Sequence, residues 1–386
     1  MTYGVWLWSE LFEEHDLKGS YADRDKFYEQ VKLRTKLPAH MVQCCFDSSK
    51  WMWRSYRQLH QRWQRIVAEA KGRNEEKTLR RLMRREPQKP FSNGLNHKVP
   101  VWFDGAVGSI ERSKNIRLCR YVARISTLQK GIRVTLPLNP AKYHLDLLGR
   151  ATSLSSFQIV KRYGKYYVHV KIEYAVPAKS VSMVRGIDLG VKRSIASVTL
   201  RPNQPLMSKD FALVLDRLKA HRLNRLNRRV AKLQQAKKWG PLKRVRNKRQ
   251  HVAEYYDRLS ARRVADTSDG CLVAVGYPQG IKYDNPKGNG KAYLRRLLAR
   301  WSYARMIQYI REECNERGIR VEVTREHWSS ATCHRCGSRN TERISQSLFH
   351  CRNCELLYNA DFNAAINIGS RFLPEAANRE AMVGLA

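Results

Sequence analysis

The sequence predicts a multidomain α+β protein: a helical lobe, a small β-barrel, and an α/β domain interrupted near its end by a metal-stapled knuckle. Three observations carry this. The apolar period is helical over residues 1–85 and switches to two over 100–178. From 179 onward, short buried-strand runs alternate with long helical patterns. Two Cys-x-x-Cys pairs, Cys333/Cys336 and Cys351/Cys354, stand 14 residues apart, a spacing that calls for a tetrahedral Zn²⁺.

The chain has 386 residues, enough for two or three domains, and a formal net charge of +39 from 73 Lys and Arg against 34 Asp and Glu. A charge that large opposes compaction, so a polyanionic partner is the economical explanation. Aromatic content of 10% and hydrophobic content of 42% exclude a disordered basic tail protein. Five further cysteines, Cys44, Cys45, Cys119, Cys271 and Cys314, are scattered and odd in number, the usage of a reducing compartment. The first residues lack a basic n-region, and no apolar run approaches the ~20 residues that span a bilayer, so no membrane association is expected. The expected location is the cytoplasm, at the nucleoid when DNA-bound, or the nucleus of a eukaryote.

In residues 1–85, Val42, Cys45, Met52, Tyr56, Leu59, Trp63 and Ile66 make one helical face, with Arg54, Arg57, Arg62 and Arg65 interleaved, so the polar side is one-signed. Residues 86–99, rich in Pro, Asn and Gly, read as a linker. Over 100–178, Ile132-Arg-Val-Thr-Leu136 and Tyr166–Tyr174 alternate, with a turn at Tyr163-Gly164. Several short strands of this kind suggest an oligonucleotide-binding type of barrel. The last domain covers 179–386. Val184–Val191 reads as a buried strand holding one acid, Asp188, and Ser194–Leu200 as its hairpin partner. Residues 217–250 carry fourteen Lys or Arg and no acid, with Leu223, Leu226, Val230 and Leu233 as an apolar stripe. This basic helical insert (209–265) points Arg222, Arg225, Arg228, Arg229 and Lys232 at a nucleic-acid backbone. Cys271–Val275 is the next strand, ending at Gly276. A Gln279–Gly290 loop follows, then a helix with Leu294, Leu298, Trp301, Met306 and Ile310, and a strand over Ile319–Arg325. The knuckle insertion (327–358) and a helix opening at Asp361 complete an RNase-H-like order.

Asp188 sits between Ile187 and Leu189 in a run that should be mostly buried, and a buried carboxylate must be paired or bind metal. Asp361 can be read as a first-turn helix acid. On these elements, V-R-G-I-D-L-G (184–190), S-S-A-T-C-H-R-C-G (329–337) and N-A-D-F-N-A-A-I-N-I (359–368) resemble the RuvC nuclease domain of TnpB-type proteins, relatives of compact type V CRISPR effectors and of the Fanzor proteins. The resemblance covers 180–370 firmly. The helical and barrel regions correspond more loosely to that family's recognition and wedge domains. It implies an RNA-guided, Mg²⁺-dependent DNA endonuclease. The expected partners are a guide or omega RNA and a double-stranded DNA target bearing an adjacent motif; the expected assembly is a monomer or a dimer. By resemblance, Asp188 matches the first RuvC acid and Asp361 the third.

Two features depart from the pattern. The chain reads as opening inside the helical lobe, where family members commonly begin with a barrel strand. In addition, Gly276 stands where the family usually places a glutamate. Two bridging metals need several carboxylates. Either the chain is catalytically inactive or another acid has moved in. Glu326 is the candidate: it ends the adjacent strand, ~4.8 Å away, and E-H-W-S-S-A-T-C (326–333) resembles the E-Y-R-T-S-K-x-C pattern of Fanzor-like and some archaeal members. Glu322 and Asp284 are weaker substitutes. The expected site is therefore two Mg²⁺ held by Asp188, Glu326 and Asp361, with one structural Zn²⁺ on the four cysteines. The alternatives are a nuclease-dead RNA-guided repressor and a zinc-ribbon nucleic-acid-binding protein without a guide.

Overall fold

The computed structural model describes residues 1–92, 94, 99–129, 131–162, 164–191, 193–202, 208–278 and 301–373. The chain divides into two compact units, Met1–Ala175 and Val176–Ala386. The expected loop over Gln279–Gly290 with Asp284, the helix start bearing Leu294 and Leu298, and Tyr163 lie outside the described residues.

The first unit opens with α1 (Thr2–Glu14), α2 (Tyr21–Thr35), α3 (Ala39–Gly72) and α4 (Glu76–Met83). Val5, Trp8 and Phe12 of α1 pack on Val42, Cys45, Phe46 and Trp53 of α3. The Trp53 indole donates to Ser9 Oγ at 2.9 Å, which fixes the rotation of α3 against α1. A reciprocal Ser20–Asp23 capping box starts α2.

Strands follow: β1 (Trp102–Phe103), β2 (Gly108–Arg112), β3 (Tyr121–Ser126), β4 (Arg133–Leu138), β5 (Ser153–Arg162) and β6 (Lys165–Glu173). The expected barrel is not closed among the described residues. There are two three-stranded antiparallel sheets, β1-β5-β6 and β2-β3-β4, sharing a core of Ile110, Tyr121, Ala123 and Phe157. An unforeseen helix, α5 (Lys142–Arg150), lies between β4 and β5 and adds Leu145 and Leu148 to that core. Alternation along single strands cannot reveal closure, because an open sheet and a barrel share the same period.

The second unit is built on a five-stranded sheet of order β11-β10-β7-β8-β9. Its strands are β7 (Met183–Asp188), β8 (Ala196–Leu200), β9 (Ser208–Phe211), β10 (Cys271–Tyr277) and β11 (Val321–Arg325). β7, β8 and β9 pair antiparallel, while β10 lies parallel to both β7 and β11. The segment read as one basic helix is a helical hairpin, α6 (Leu213–Gln235) and α7 (Trp239–Asp266). Lys237 at φ +50° turns the chain, and Leu226, Val230 and Leu233 close against Leu242 and Val245. On one face of the sheet, Ile187, Val273 and Val275 pack against Ala261, Val264 and Ala265 of α7 and against Met306 and Ile310 of α8 (Tyr303–Asn315). The other face is covered by α9 (Ala360–Ser370), which brings Ala365, Ile366 and Ile368. Between β11 and α9 stands a small antiparallel sheet, β12 (Thr341–Arg343), β13 (Leu348–Cys351) and β14 (Leu357–Asn359).

Candidate carboxylate site and cysteine knuckle

Strand alternation decides which side chains meet α9. Val184, Gly186 and Asp188 of β7 share that face with Leu272, Ala274 and Gly276 of β10. Gly186 permits the approach: a Cβ there would collide with the Ala365 carbonyl oxygen and stand 2.8 Å from the Gly369 nitrogen. The helix is thereby registered on the strand by backbone contact.

Asp188 ends β7, half-buried. Burial first, and the neighbouring charge of Asp361 second, push its carboxyl up to about 7. Glu326 lies just beyond β11, and its backbone N–H donates to the Tyr277 carbonyl at 3.3 Å, holding it beside the end of β10. Its side chain leans across one strand: a Cβ built on Gly276 would lie 2.7 Å from Glu326 Cγ and 2.9 Å from Oε1. Glu326 thus fills the space above Gly276. Burial, then the charge of Asp188, push it up to about 8. Its Oε1 is buried with no hydrogen-bond partner. Asp361 sits in the first turn of α9, behind Asn359, whose Oδ1 accepts from the N–H groups of Asp361 (3.0 Å) and Phe362 (3.1 Å). Asp361 is paired with Arg193 (3.1 Å) and Arg343 (3.4 Å).

Three acids from three elements therefore share one field. Two of them resist ionisation through burial and mutual repulsion, which a cation would relieve. The donor set fits hard divalent ions, and the orphaned Glu326 oxygen has its lone pairs uncommitted for a ligand bond. The three carboxylates are not drawn as tightly as the thiols below; the two arginines hold Asp361. Of the weaker substitutes, Glu322 is committed to Arg320 at 2.7 Å.

In the knuckle, the Sγ atoms of Cys333, Cys336, Cys351 and Cys354 all lie within 4.8 Å of one another. The Cys333–Cys354 and Cys336–Cys351 separations are 3.7 and 3.5 Å. Zn–S bonds of ~2.3 Å at tetrahedral angles require sulfurs about 3.8 Å apart, so the set fits such an ion. The Ser338 backbone N–H and then the Asn353 amide draw the Cys336 thiol down to about 6, favouring the thiolate that binds metal.

The family model for the TNB domain of Cas12f1-like proteins matches residues 303–368, the stretch from α8 through the knuckle to α9. The chain is 26% identical over 242 residues to the CRISPR-associated endodeoxyribonuclease Cas12f1 of Sulfoacidibacillus thermotolerans, covering 58% of this chain and 54% of the relative. It is 25% identical over 254 residues to a TnpB-like protein of Aquifex aeolicus, covering 60% of this chain and 83% of that protein. A cryo-EM structure of a Cas12f1–sgRNA–target DNA complex shares the fold, with a TM-score of 0.62 at 16% identity over 95% of this chain and 78% of that one. Over these stretches the chain is similar to TnpB-like and compact type V effector proteins. The match spans about half the length of the Cas12f1 relative.

Within this TnpB-like chain the basic residues divide. Arg222, Arg225, Arg228, Arg229 and Lys232 are exposed on α6, and Arg54, Arg62 and Arg65 on α3. Arg57 is already engaged, with Asp16 at 2.9 Å and the Trp53 ring at 5.6 Å. Sequence reading missed Arg193 and Arg343, the partners of Asp361, and the asparagines of α9. A repeat of Asn at 363 and 367, one helical turn apart in an otherwise apolar helix, was the available signal.

Proposed function

We propose that this chain is an RNA-guided DNA endonuclease with a single RuvC-type site formed by Asp188, Glu326 and Asp361. The observation that carries this reading is Glu326, whose carboxylate occupies the space above Gly276, beside Asp188, with a buried oxygen unpartnered. That position supports the relocated, Fanzor-like reading of the missing acid. Two Mg²⁺ held there would neutralise the scissile phosphate, activate water and stabilise the leaving oxygen. Asp188 and Glu326 release their protons to become ligands, and Arg343, half-exposed beside Asp361, offers charge toward a phosphate. The four cysteines hold a structural Zn²⁺, with no coordination position left open.

Guide pairing would supply sequence choice while the protein holds backbone. On this reading, residues 1–85 act as a recognition lobe, 86–99 as a linker, 100–178 as a wedge domain and 179–386 as the nuclease domain. The partners are a guide RNA and a DNA target, met in the cytoplasm or nucleus. Among the described residues no helix is long and apolar enough to cross a membrane. Gly276 favours a second reading, a nuclease-dead repressor. Cleavage of a matched plasmid by protein co-expressed with its flanking locus separates them. Cutting in Mg²⁺, absent in EDTA and lost in Asp188→Ala and Glu326→Ala, supports the nuclease. Guide-dependent binding without cutting makes it a repressor, and salt-sensitive binding without guide dependence leaves a plain zinc-ribbon protein.

A further inference from the structure

Glu326 and Asp361 flank the cysteine knuckle in sequence, seven residues before Cys333 and seven after Cys354. Their separation is therefore set by how the knuckle is closed and how its base is tied to α9. Three side chains at i, i+4 and i+8, Asn363, Asn367 and Arg371, make that tie. Asn363 is fully buried. Its Oδ1 accepts from the His334 backbone N–H at 3.0 Å and lies 2.9 Å from His334 Nδ1, and its Nδ2 donates to the Thr332 carbonyl at 2.8 Å. His334 stands between the ligand-type cysteines 333 and 336. Asn367 donates to the Ser329 and Thr332 carbonyls at 2.8 and 2.7 Å. Arg371 donates to Thr324 Oγ1 (3.2 Å), to the His327 carbonyl (2.9 Å) and to the Arg325 carbonyl. Ser329 in turn donates from N (3.0 Å) and Oγ (2.9 Å) to the carbonyl of Glu326 itself. The backbone on both sides of Glu326 is thus held by the helix whose first turn carries Asp361.

We propose that Asn363, Asn367 and Arg371 form a positioning ladder through which the metal-closed knuckle sets the spacing of Glu326 and Asp361, coupling the thiol and carboxylate metal sites. This rests on the carboxylate-site reading above. Ordinary buried packing would stabilise the fold without linking the two sites. A ladder of fixed donors makes each site pre-organise the other, and such coupling is reciprocal.

The test uses the full chain without nucleic acid. Zinc release on thiol modification is followed with a zinc-selective fluorophore, with and without saturating Mn²⁺, and Mn²⁺ affinity is measured directly. Mn²⁺ is expected to slow zinc release about tenfold in the wild type, and the protection should vanish in Asp188→Asn. Asn363→Ala and Asn367→Ala should retain one zinc per chain yet lose the protection. If either asparagine variant does not fold, Arg371→Ala, whose side chain is exposed, carries the same expectation in weaker form. Protection undiminished in all three ladder variants overturns the proposal, as does wild-type protein that binds Mn²⁺ without slowing zinc release. Wild-type protein that binds no Mn²⁺ overturns the carboxylate site and the ladder together.

Discussion

A glycine on β10 and a glutamate just past the end of β11 share one space. Gly276 leaves room that Glu326 fills from beyond β11, so the carboxylate reaches the neighbourhood of Asp188 from a different backbone position. This makes a reciprocal expectation. Gly276→Glu alone should inactivate the site, because its Cβ would meet Glu326 Cγ at 2.7 Å. Glu326→Ala alone should lose more than the ~10–100-fold that follows loss of a supporting metal-site partner. Combining the two, with Ile368→Val to clear the Ile368 Cδ1 that also stands 2.7 Å from that Cβ, should recover at least tenfold over either single variant in plasmid cleavage; a combined variant no better than the singles refutes the exchange. Proton linkage gives a second expectation. Asp188 and Glu326 have folded-state values raised to about 7 and about 8 from ordinary values of 3.8 and 4.5. Between those limits the unfolded chain has shed protons that the folded chain keeps, so metal-free stability falls as pH rises from about 4 to about 8 and levels beyond. Each tenfold difference in proton affinity between the folded and unfolded chain is worth at most about 1.4 kcal/mol, and a domain of this size loses ~2–4 °C of Tm per kcal/mol. Melting curves at pH 5 and pH 8 in EDTA should show the decline, Asp188→Asn should flatten it, and Mn²⁺ should raise Tm more at pH 8. A metal-free Tm independent of pH would count against the acid cluster.

At the scale of elements, the sequence was legible wherever one local period governed. β7 and β10 read as buried runs, β8 as the hairpin partner of β7 and β11 as a strand, and α9 opens at its acid as expected. What escaped depended on pairings distant in sequence. β9 is four residues long, exposed over Ser208 and Lys209, and becomes a strand only by lying along β8. The α6–α7 break hides inside a continuous basic pattern, since leucines from both helices close one interface. The carboxylate face was half legible: an acid among apolar neighbours marked Asp188. The Asn363–Asn367–Arg371 series instead resembles a solvated helix side until Ser329 and Thr332 are known to lie against it. Glycines give the element-scale expectation. Gly186→Ala must force β7 and α9 apart against backbone atoms and should cost about 1–3 kcal/mol or more. Gly149→Ala, on the exposed side of α5 where no other part of the chain comes within 4 Å of the new methyl, should gain up to about 1 kcal/mol. Urea unfolding measures both, and equal effects would mean that the β7–α9 contact is not tight.

At the scale of the whole molecule, the proposed function would make phosphate contact a leading source of affinity for a chain of net charge +39, and geometry decides which cations could supply it. Arg222, Arg225, Arg229 and Lys232 recur at three-, four- and three-residue steps along α6 and are exposed, so they form one basic row. Arg57 has the same formal charge but a different commitment, since its guanidinium serves Asp16 and the Trp53 ring within the first unit. Counterion release should distinguish them. Each phosphate contact removed lowers the slope of log K against log salt by roughly 0.7–0.9. Replacing Arg225, Arg229 and Lys232 together by alanine should therefore reduce the slope for guide RNA or DNA by about two to three, with weakening largely uniform across sequences. Arg57→Ala should leave the slope unchanged while lowering stability, because it removes packing and an ion pair rather than a free charge. If the slope drops equally in both cases, the α6 row is not a backbone-contact surface, and the excess charge acts only as a diffuse field.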